Sequence, residues 1–171
     1  YWVPESIWSL FSSKQKLGNI SKARRGLETG NNELFIKHWF EINFGQISLT
    51  SDKKNKYFPY HKGGEARRWF PTSTLCVNWE DEGDEIKKSK GTANGEDVYL
   101  KSGITWSGLT SGQSSFRLSP PGFIFDSNKG PMMFPQKGSE FNILGVLNSS
   151  LYDFILNILN PTLSIQNGDI D

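Results

Sequence analysis

Two stretches of the sequence combine glycine with side chains that commonly contact phosphates or base edges. Residues 26–35 read GLETGNNELF, and residues 60–69 read YHKGGEARRW. Glycine permits close approach of a backbone to a ligand, and arginine can hold a phosphate or a guanine with two hydrogen bonds. The same residues equally suit two glycine turns flanked by surface lysines and arginines. The residue types alone leave both interpretations open. The polar and basic candidates are Thr29, Asn31, Asn32, Lys62, Arg67 and Arg68.

Patterns that mark a catalytic or metal centre are missing from the sequence. His38 and His61 stand far apart among aromatic residues, where a structural role fits each better than metal binding, and Cys76 is the only cysteine. We find no Gly-x-Ser-x-Gly elbow, no phosphate-binding Gly-Lys-Ser/Thr loop and no glycine-rich loop for a methyl donor. The acidic run at 80–85 matches no calcium loop and is typical of a solvated face. We therefore expect no catalytic residue, metal or cofactor in this chain.

One tetrapeptide, Ser119-Pro120-Pro121-Gly122, resembles the sequence with which amino-methyltransferases hold a flipped adenine. That sequence ends in an aromatic residue, which stacks on the extruded base. Gly122 occupies the aromatic position here, and the tetrapeptide lies between two predicted short strands. We interpret it as a structural Pro-Pro-Gly turn.

Length, composition and charge favour one folded domain over residues 1–171. The chain is 36% hydrophobic and 22% charged, which suffices for one core. Residues 1–70 hold twelve Lys or Arg against six Asp or Glu, a net +6, whereas residues 71–171 hold seven against twelve, a net −5. A basic half attracts phosphates, although such asymmetry is also common on solvated surfaces.

The first residue and the apolar runs bear on the cellular location of the protein. The first residue is Tyr1 and not Met, which suggests a segment of a longer protein. No apolar run resembles a signal peptide or a membrane span. We therefore expect a cytoplasmic protein with no membrane contact.

The periodicity predicts an α+β architecture, with a twisted, mostly antiparallel sheet and helices at both ends of the chain. A first helix is predicted from Pro4 to Lys14, followed by an irregular loop over 17–31. Alternation from Lys37 to Phe44 predicts a half-buried strand with His38, Phe40, Ile42 and Phe44 on one face. Further strands are predicted at 57–60, 75–79, 104–106, 115–118, 123–125 and 132–134, and the polar run 80–90 suits a helix.

The last quarter of the chain has helical spacing. Apolar residues from Phe141 to Ile158 recur at i, i+3 and i+4, Ser139 can cap the start, and Asn160-Pro161 ends the pattern. Residues 148–150 can split this region into two helices. Because the apolar stripe over 139–159 is continuous, we expect it to belong to the core and not to an interface.

The two glycine stretches together resemble the opening of the target-recognition region in TaqI-like type II N6-adenine methyltransferases. There a Gly-[Ile/Leu]-x-Thr-Gly-x-Asn-x-x-Phe stretch precedes a Lys/Arg-Gly-x-Asp/Glu-x-Lys/Arg-Arg-aromatic stretch. Gly26 to Phe35 and Lys62 to Trp69 match both, in that order.

Further blocks are similar to the large phage-exclusion (BREX) methyltransferases, so that the resemblance covers nearly the whole chain. Phe70-Pro71, where the family tends to have a Tyr-Gly-Asn-like turn, and the acidic run 80–85 depart from the pattern. The similar blocks are Tyr1-Trp2 and residues 77–79, 104–107, 116–117, 122–126, 147–149, 160–163 and 168–170.

The resemblance implies a DNA target-recognition segment of an N6-adenine-specific methyltransferase from a restriction or phage-exclusion system. The methyl donor, S-adenosylmethionine, would then belong to an upstream part of the parent enzyme. The implied partners are double-stranded DNA and the rest of the parent chain. Phosphate contacts are expected from Lys62, Arg67 and Arg68, together with Lys22, Arg24 and Arg25. Base-edge contacts are expected from Asn31, Asn32 and Arg117, beside Thr29 in the first turn.

Two other interpretations remain open. One is a carbohydrate-binding, β-rich module that uses exposed Trp69, Trp79 and Trp106. The other is a non-catalytic scaffold that joins the catalytic and recognition domains of a larger enzyme. Salt separates the DNA interpretation from the carbohydrate one, because added salt weakens phosphate binding steeply and hardly affects stacking on sugars.

Overall fold

The computed structural model describes Glu5 and residues 16–50, 55–110, 113–160 and 162–170. These residues form an α+β fold in which twisted, mostly antiparallel sheets carry helices at the C-terminal end, as the sequence predicts. The helix predicted over 4–14 lies outside the described residues, apart from Glu5.

Ten strands and five α-helices build the described part of the chain. The strands are β1 (Ser21–Arg24), β2 (Leu27–Glu28), β3 (Ile36–His38), β4 (Tyr57–His61), β5 (Leu75–Asn78), β6 (Thr92–Ala93), β7 (Gly103–Trp106), β8 (Phe116–Ser119), β9 (Ile124–Phe125) and β10 (Met132–Pro135). The helices are α1 (Asn32–Phe35), α2 (Asp84–Lys88), α3 (Glu140–Leu147), α4 (Ser150–Leu159) and α5 (Asn167–Ile170). Short 3-10 turns cover Leu17–Asn19, Trp39–Glu41, Phe44–Gln46, Glu80–Gly83 and Glu96–Val98.

The strands pair in two four-stranded sheets and one two-stranded ribbon. One sheet has the order β1-β10-β7-β8 and is antiparallel throughout. The other has the order β3-β5-β4-β9, in which β9 pairs parallel to β4. The ribbon joins β2 to β6. The parallel pair sets His61 opposite Phe125, and this register positions the candidate site described below.

Each four-stranded sheet contributes to its own cluster of buried side chains. The cluster at the sheet β3-β5-β4-β9 includes Phe35, Phe58, Val77 and Phe125. The cluster at the sheet β1-β10-β7-β8 includes Trp106, Phe116, Leu144 and Leu147, so that α3 covers this sheet. Burial of these apolar side chains is the main stabilising contribution of both clusters.

Two predicted segments differ from the structure. The strand predicted from Lys37 to Phe44 ends at His38, because the His38 amide donates to Glu41 Oε2 (2.7 Å) and the Gly45 amide to Asn43 Oδ1 (3.0 Å). Such local side-chain hydrogen bonds compete with a strand ladder, and Phe40 and Phe44 are consequently exposed. The loop predicted over 17–31 contains β1 and β2, whose partners lie far along the chain.

The C-terminal helical region divides at Asn148 and Ser149, as the sequence predicts. Ser149 caps α4 by accepting from the Tyr152 amide (3.2 Å). The expectation that the whole region is core is wrong for α4, because only Leu156 of that helix is buried, whereas Leu151, Phe154 and Leu159 are at least half exposed. Among the described residues no single helix is long and apolar enough to cross a membrane. By length and composition alone α3 and α4 together would be, but they are bent by 65°.

Candidate nucleic-acid interface

The first glycine stretch folds into a tight turn that leads from β2 into α1. Asn31 caps α1, since its Oδ1 accepts from the Leu34 amide (3.2 Å). Thr29 is buried and donates its hydroxyl to Asn32 Oδ1 (2.6 Å). Gly30 has φ +70, and a Cβ at this position would lie 2.8 Å from the Lys90 carbonyl carbon. The polar side chains therefore shape the turn, and Asn31 and Asn32 remain exposed at its tip.

The second glycine stretch leaves the end of β4 and turns at Gly63 and Gly64. Gly63 has φ +70, and a Cβ there would meet the Lys129 carbonyl oxygen at 2.2 Å. Gly64 has φ +124 and faces open space, with no heavy atom within 4 Å of an added Cβ. Of these two glycines, only Gly64 leaves its backbone open to a ligand.

A third segment, the loop 126–130, joins the two stretches. The hydroxyl of Tyr60 lies 3.2 Å from the Leu27 carbonyl oxygen and 3.0 Å from Asp126 Oδ2. The Asp126 amide donates to the His61 carbonyl (2.8 Å), and the Ser127 amide donates to the Leu27 carbonyl (3.2 Å). Residues that are distant in sequence are thus fixed side by side.

Asp126 also organises the loop itself. Its Oδ1 accepts from the amides of Asn128 (2.9 Å) and Lys129 (2.7 Å), which is an Asx-type turn. Residues 122–126 form one of the blocks that resemble the BREX methyltransferases, but the sequence alone indicates no role for Asp126 or Lys129. The Asp-Ser-Asn-Lys-Gly pattern signals such a turn, although sequence alone does not place it beside Lys62.

A surface depression of about 250 Å³ lies where the three segments meet. Lys62 and Lys129 supply its positive charge, and Glu28 and Asp126 supply negative charge. Partial burial lowers the pKa of Lys62, and the neighbouring Lys129 acts in the same direction, whereas Asp126 opposes it. The first turn contributes Thr29, Gly30 and Asn32 to the same lining. Lys62 and the first turn therefore share one site.

Arg67 and Arg68 are exposed and lie alongside the residues that lead into β8. The Arg67 amide donates to Ser115 Oγ (3.1 Å), and Arg68 Nη2 donates to Gln113 Oε1 (3.4 Å). Trp69 extends this contact, since its amide donates to the Phe116 carbonyl (3.3 Å). Neither arginine lines the depression with the first turn, and neither forms an ion pair with a described carboxylate.

The other basic candidates occupy different environments. Arg24 pairs with Asp97 through two hydrogen bonds of 2.6 and 3.1 Å, whereas Lys22 and Arg25 are exposed. Arg117 is only 3% exposed and donates from Nη2 to Ser107 Oγ (2.8 Å). The predicted contact of Arg117 with a base edge does not fit this buried position.

Arg117 and His61 line a cavity of about 310 Å³ next to the depression, and Lys62 and Lys129 line both. His61 Nε2 lies 2.7 Å from Ser119 Oγ and Nδ1 lies 3.1 Å from Ser73 Oγ. Burial, together with the charge of Arg117, lowers the pKa of His61 to about 3. His61 thus has the buried, hydrogen-bonded environment that is expected of a structural histidine.

The tetrapeptide 119–122 leads from Ser119, the last residue of β8, into the predicted turn before β9, with Gly122 at φ +97. Two of the three tryptophans in the carbohydrate interpretation are buried, Trp79 at 5% and Trp106 at 0% exposure, so they cannot form an exposed stacking surface.

Within the described ranges, no group of three or more His, Cys, Asp or Glu residues is arranged to hold a metal ion.

Comparison with known proteins points to one class, the adenine-specific methyltransferases, over 99% of this chain. The chain is 35% identical to the adenine-specific methyltransferase PglX of Lacticaseibacillus casei (strain Zhang) over 185 aligned positions. It is 31% identical to the adenine-specific methyltransferase BrxX of Escherichia coli O9:H4 (strain HS) over 174 positions. The chain spans only 15% and 14% of the lengths of these relatives. No protein-family profile matches it.

Proposed function

We propose that this chain is a DNA-contacting, target-recognition segment of an N6-adenine-specific DNA methyltransferase of a restriction or phage-exclusion system. The observation that carries the proposal is the meeting of the two glycine stretches at one depression. Lys62 and Lys129 line it together with Thr29, Gly30 and Asn32 of the first turn, and with the carboxylates of Glu28 and Asp126. The similarity to two adenine-specific methyltransferases supports the same function.

The proposed contacts divide by chemistry. Lys62 and Lys129 act as point charges on backbone phosphates, and Arg67 and Arg68 each offer a planar pair of donors to a phosphate. Asn31 and Asn32, exposed at the tip of the first turn, are the candidates for base edges. Thr29 and Arg117 support the turns from inside, because both side chains are buried.

Methyl transfer and binding of S-adenosylmethionine are assigned to the part of the parent enzyme outside this chain. We also propose that the parent chain covers the exposed apolar side chains of α4, namely Leu151, Phe154 and Leu159. Apolar side chains clustered on one surface helix are typical of an interface. Under this proposal the chain contacts DNA on one side and the rest of the enzyme on another.

The test measures duplex DNA affinity against salt concentration in the longer protein that carries this segment. Arg67→Ala and Arg68→Ala should each weaken binding to all duplexes similarly and reduce the slope of log K against log salt by about one. Lys101→Ala removes the same charge from an exposed position outside both stretches and serves as the matched control. A double variant, Arg67→Ala with Arg68→Ala, that binds DNA as tightly as its parent would contradict the proposal.

A further inference from the structure

The cavity beside the depression is lined by positively charged side chains, and Asp126, which acts on the charge of Lys62, lies outside its lining. Of the described residues that line it, Lys62, Arg117 and Lys129 are cationic and none is a carboxylate. His61, which also lines the cavity, is neutral at ordinary pH because burial lowers its pKa to about 3. Three cations and a neutral imidazole therefore line one partly open cavity.

Arg117 is the unusual member of this group. Its guanidinium is buried, yet no described carboxylate pairs with it. Nη2 donates to the Ser107 hydroxyl, whereas the buried Nε finds no acceptor among the described residues. Buried charges in proteins are nearly always paired, because taking an unpaired charge out of water costs several kcal/mol.

Asp126, the carboxylate whose charge acts on Lys62, forms its hydrogen bonds elsewhere. Its Oδ1 accepts two backbone amides of its own loop, and its Oδ2 lies 3.0 Å from the Tyr60 hydroxyl. It lines the depression and is not among the residues that line the cavity. Among the described residues, no carboxylate therefore supplies the counter-charge of Arg117.

We propose that this cavity is a discrete oxyanion site that binds one phosphate group between Arg117, Lys62 and Lys129. A tetrahedral phosphate offers oxygens in several directions, which suits cations that belong to three separate segments of the chain. The cavity, at about 310 Å³, is large enough for a phosphate group with water. Ser107 links Arg117 to the glycine turn, because its hydroxyl accepts from Arg117 Nη2 and donates to the Gly64 carbonyl (2.8 Å). A bound phosphate would therefore also fix this turn.

The phosphate can come from a nucleic-acid backbone or from the free ion, and the site does not require the proposed function. Titration of the 171-residue chain with inorganic phosphate, dimethyl phosphate and acetate, at constant ionic strength in chloride, measures the affinity for each anion. The readout is the ¹⁵N–¹H signal of Arg117 Nε, which the Arg117→Lys variant identifies. Saturable shifts with the phosphates are expected; no shift, or an equal response to acetate, would overturn the assignment.

Lys129→Gln is the second variant, because Lys129 is exposed and its replacement should not disturb folding. It should weaken phosphate binding roughly tenfold, as expected for the loss of one charge-assisted hydrogen bond, whereas Lys101→Gln should leave it unchanged. If Lys129→Gln and Lys101→Gln change the phosphate affinity equally, the cavity is not a specific phosphate site.

A duplex oligonucleotide separates the two sources of phosphate. Competition with the free ion for the Arg117 signal would identify a backbone phosphodiester, and binding of both without competition would identify the free ion. Salt-dependent DNA binding without any phosphate response would overturn this inference and leave the proposed function standing. Phosphate binding without DNA binding would count against the proposed function alone.

Discussion

His61 is a buried, uncharged imidazole held between two hydroxyl groups and stacked on Phe123 at a centroid distance of 4.3 Å. Its pKa is about 3 in the folded protein and about 6.5 in the unfolded chain, so the unfolded state takes up a proton first as the pH falls. Its contribution to stability is complete above about pH 6.5 and is lost as the pH decreases. We expect the free energy of unfolding to fall by up to about 1.4 kcal/mol for each pH unit below that point.

Denaturant unfolding between pH 7 and pH 5.5 measures this slope before most carboxylates titrate. His61→Gln should flatten the slope, whereas His38→Gln should keep it, because His38 is exposed. If the wild type and His61→Gln lose stability equally over this range, the imidazole is not the responsible group.

Gly26 tests whether the glycines serve internal packing. A Cβ at this position would lie 2.0 Å from the Phe125 carbonyl oxygen. Gly26→Ala should therefore destabilise the protein by roughly 1–3 kcal/mol, because the backbone of β9 must move. Gly145→Ala in α3 meets no heavy atom within 4 Å and should stabilise by roughly 0.5–1 kcal/mol, since alanine favours helix. If the melting temperatures of Gly26→Ala and Gly145→Ala shift in the same direction, close packing against Phe125 does not explain the need for glycine at position 26.

The residue types of the site were predictable, but their tasks were only partly so. Sequence pointed to Lys62 and the turn 29–32, and the structure brings them to one depression. The glycines were expected to let a ligand approach the backbone. Gly26, Gly30 and Gly63 instead each lie against protein backbone. Burial of Arg117 depends on pairing between strands that are distant in sequence, which no local pattern reveals.

At the scale of elements, α3 and α4 differ although their sequences continue one apolar pattern. Leu147 at the end of α3 is 1% exposed and packs among Trp106, Phe116 and Leu144. Leu147→Ala should cost roughly 2–5 kcal/mol of unfolding free energy, because it removes buried methyl groups and leaves a cavity. Leu151→Ala, at a position 57% exposed on α4, should change stability by no more than about 0.5 kcal/mol. If Leu147→Ala and Leu151→Ala lower the melting temperature by similar amounts, Leu151 of α4 is buried in solution.

Strands with strong local patterns were predictable, and those held only by distant partners were not. The predicted strands that became β4, β5 and β7–β10 are short runs rich in apolar residues with turn residues beside them. β1 and β2 read as loop, because their partners β10 and β6 lie much later in the chain. The segment 39–44 was predicted as strand, because Glu41 and Asn43 look like ordinary outward-facing residues until their hydrogen bonds to the backbone are seen.

At the scale of the whole molecule, we expect no binding of S-adenosylmethionine and no methyl transfer by this chain alone. The sequence has no glycine-rich loop for the donor, and Gly122 stands where a base-stacking aromatic would be required. Isothermal titration calorimetry of the 171-residue chain with the methyl donor should give no saturable heat. Measurable binding would place part of the donor site inside this segment.

The hydroxyl of Tyr60 limits which segments can be exchanged between this chain and its relatives. That single group contacts the Leu27 carbonyl and the Asp126 carboxylate, so that three segments fit one another as a set. A chimera that grafts only residues 26–35 from a relative would place a foreign turn against native residues 60–64 and 126–130. A functional chimera should be obtained only when all three segments are exchanged together.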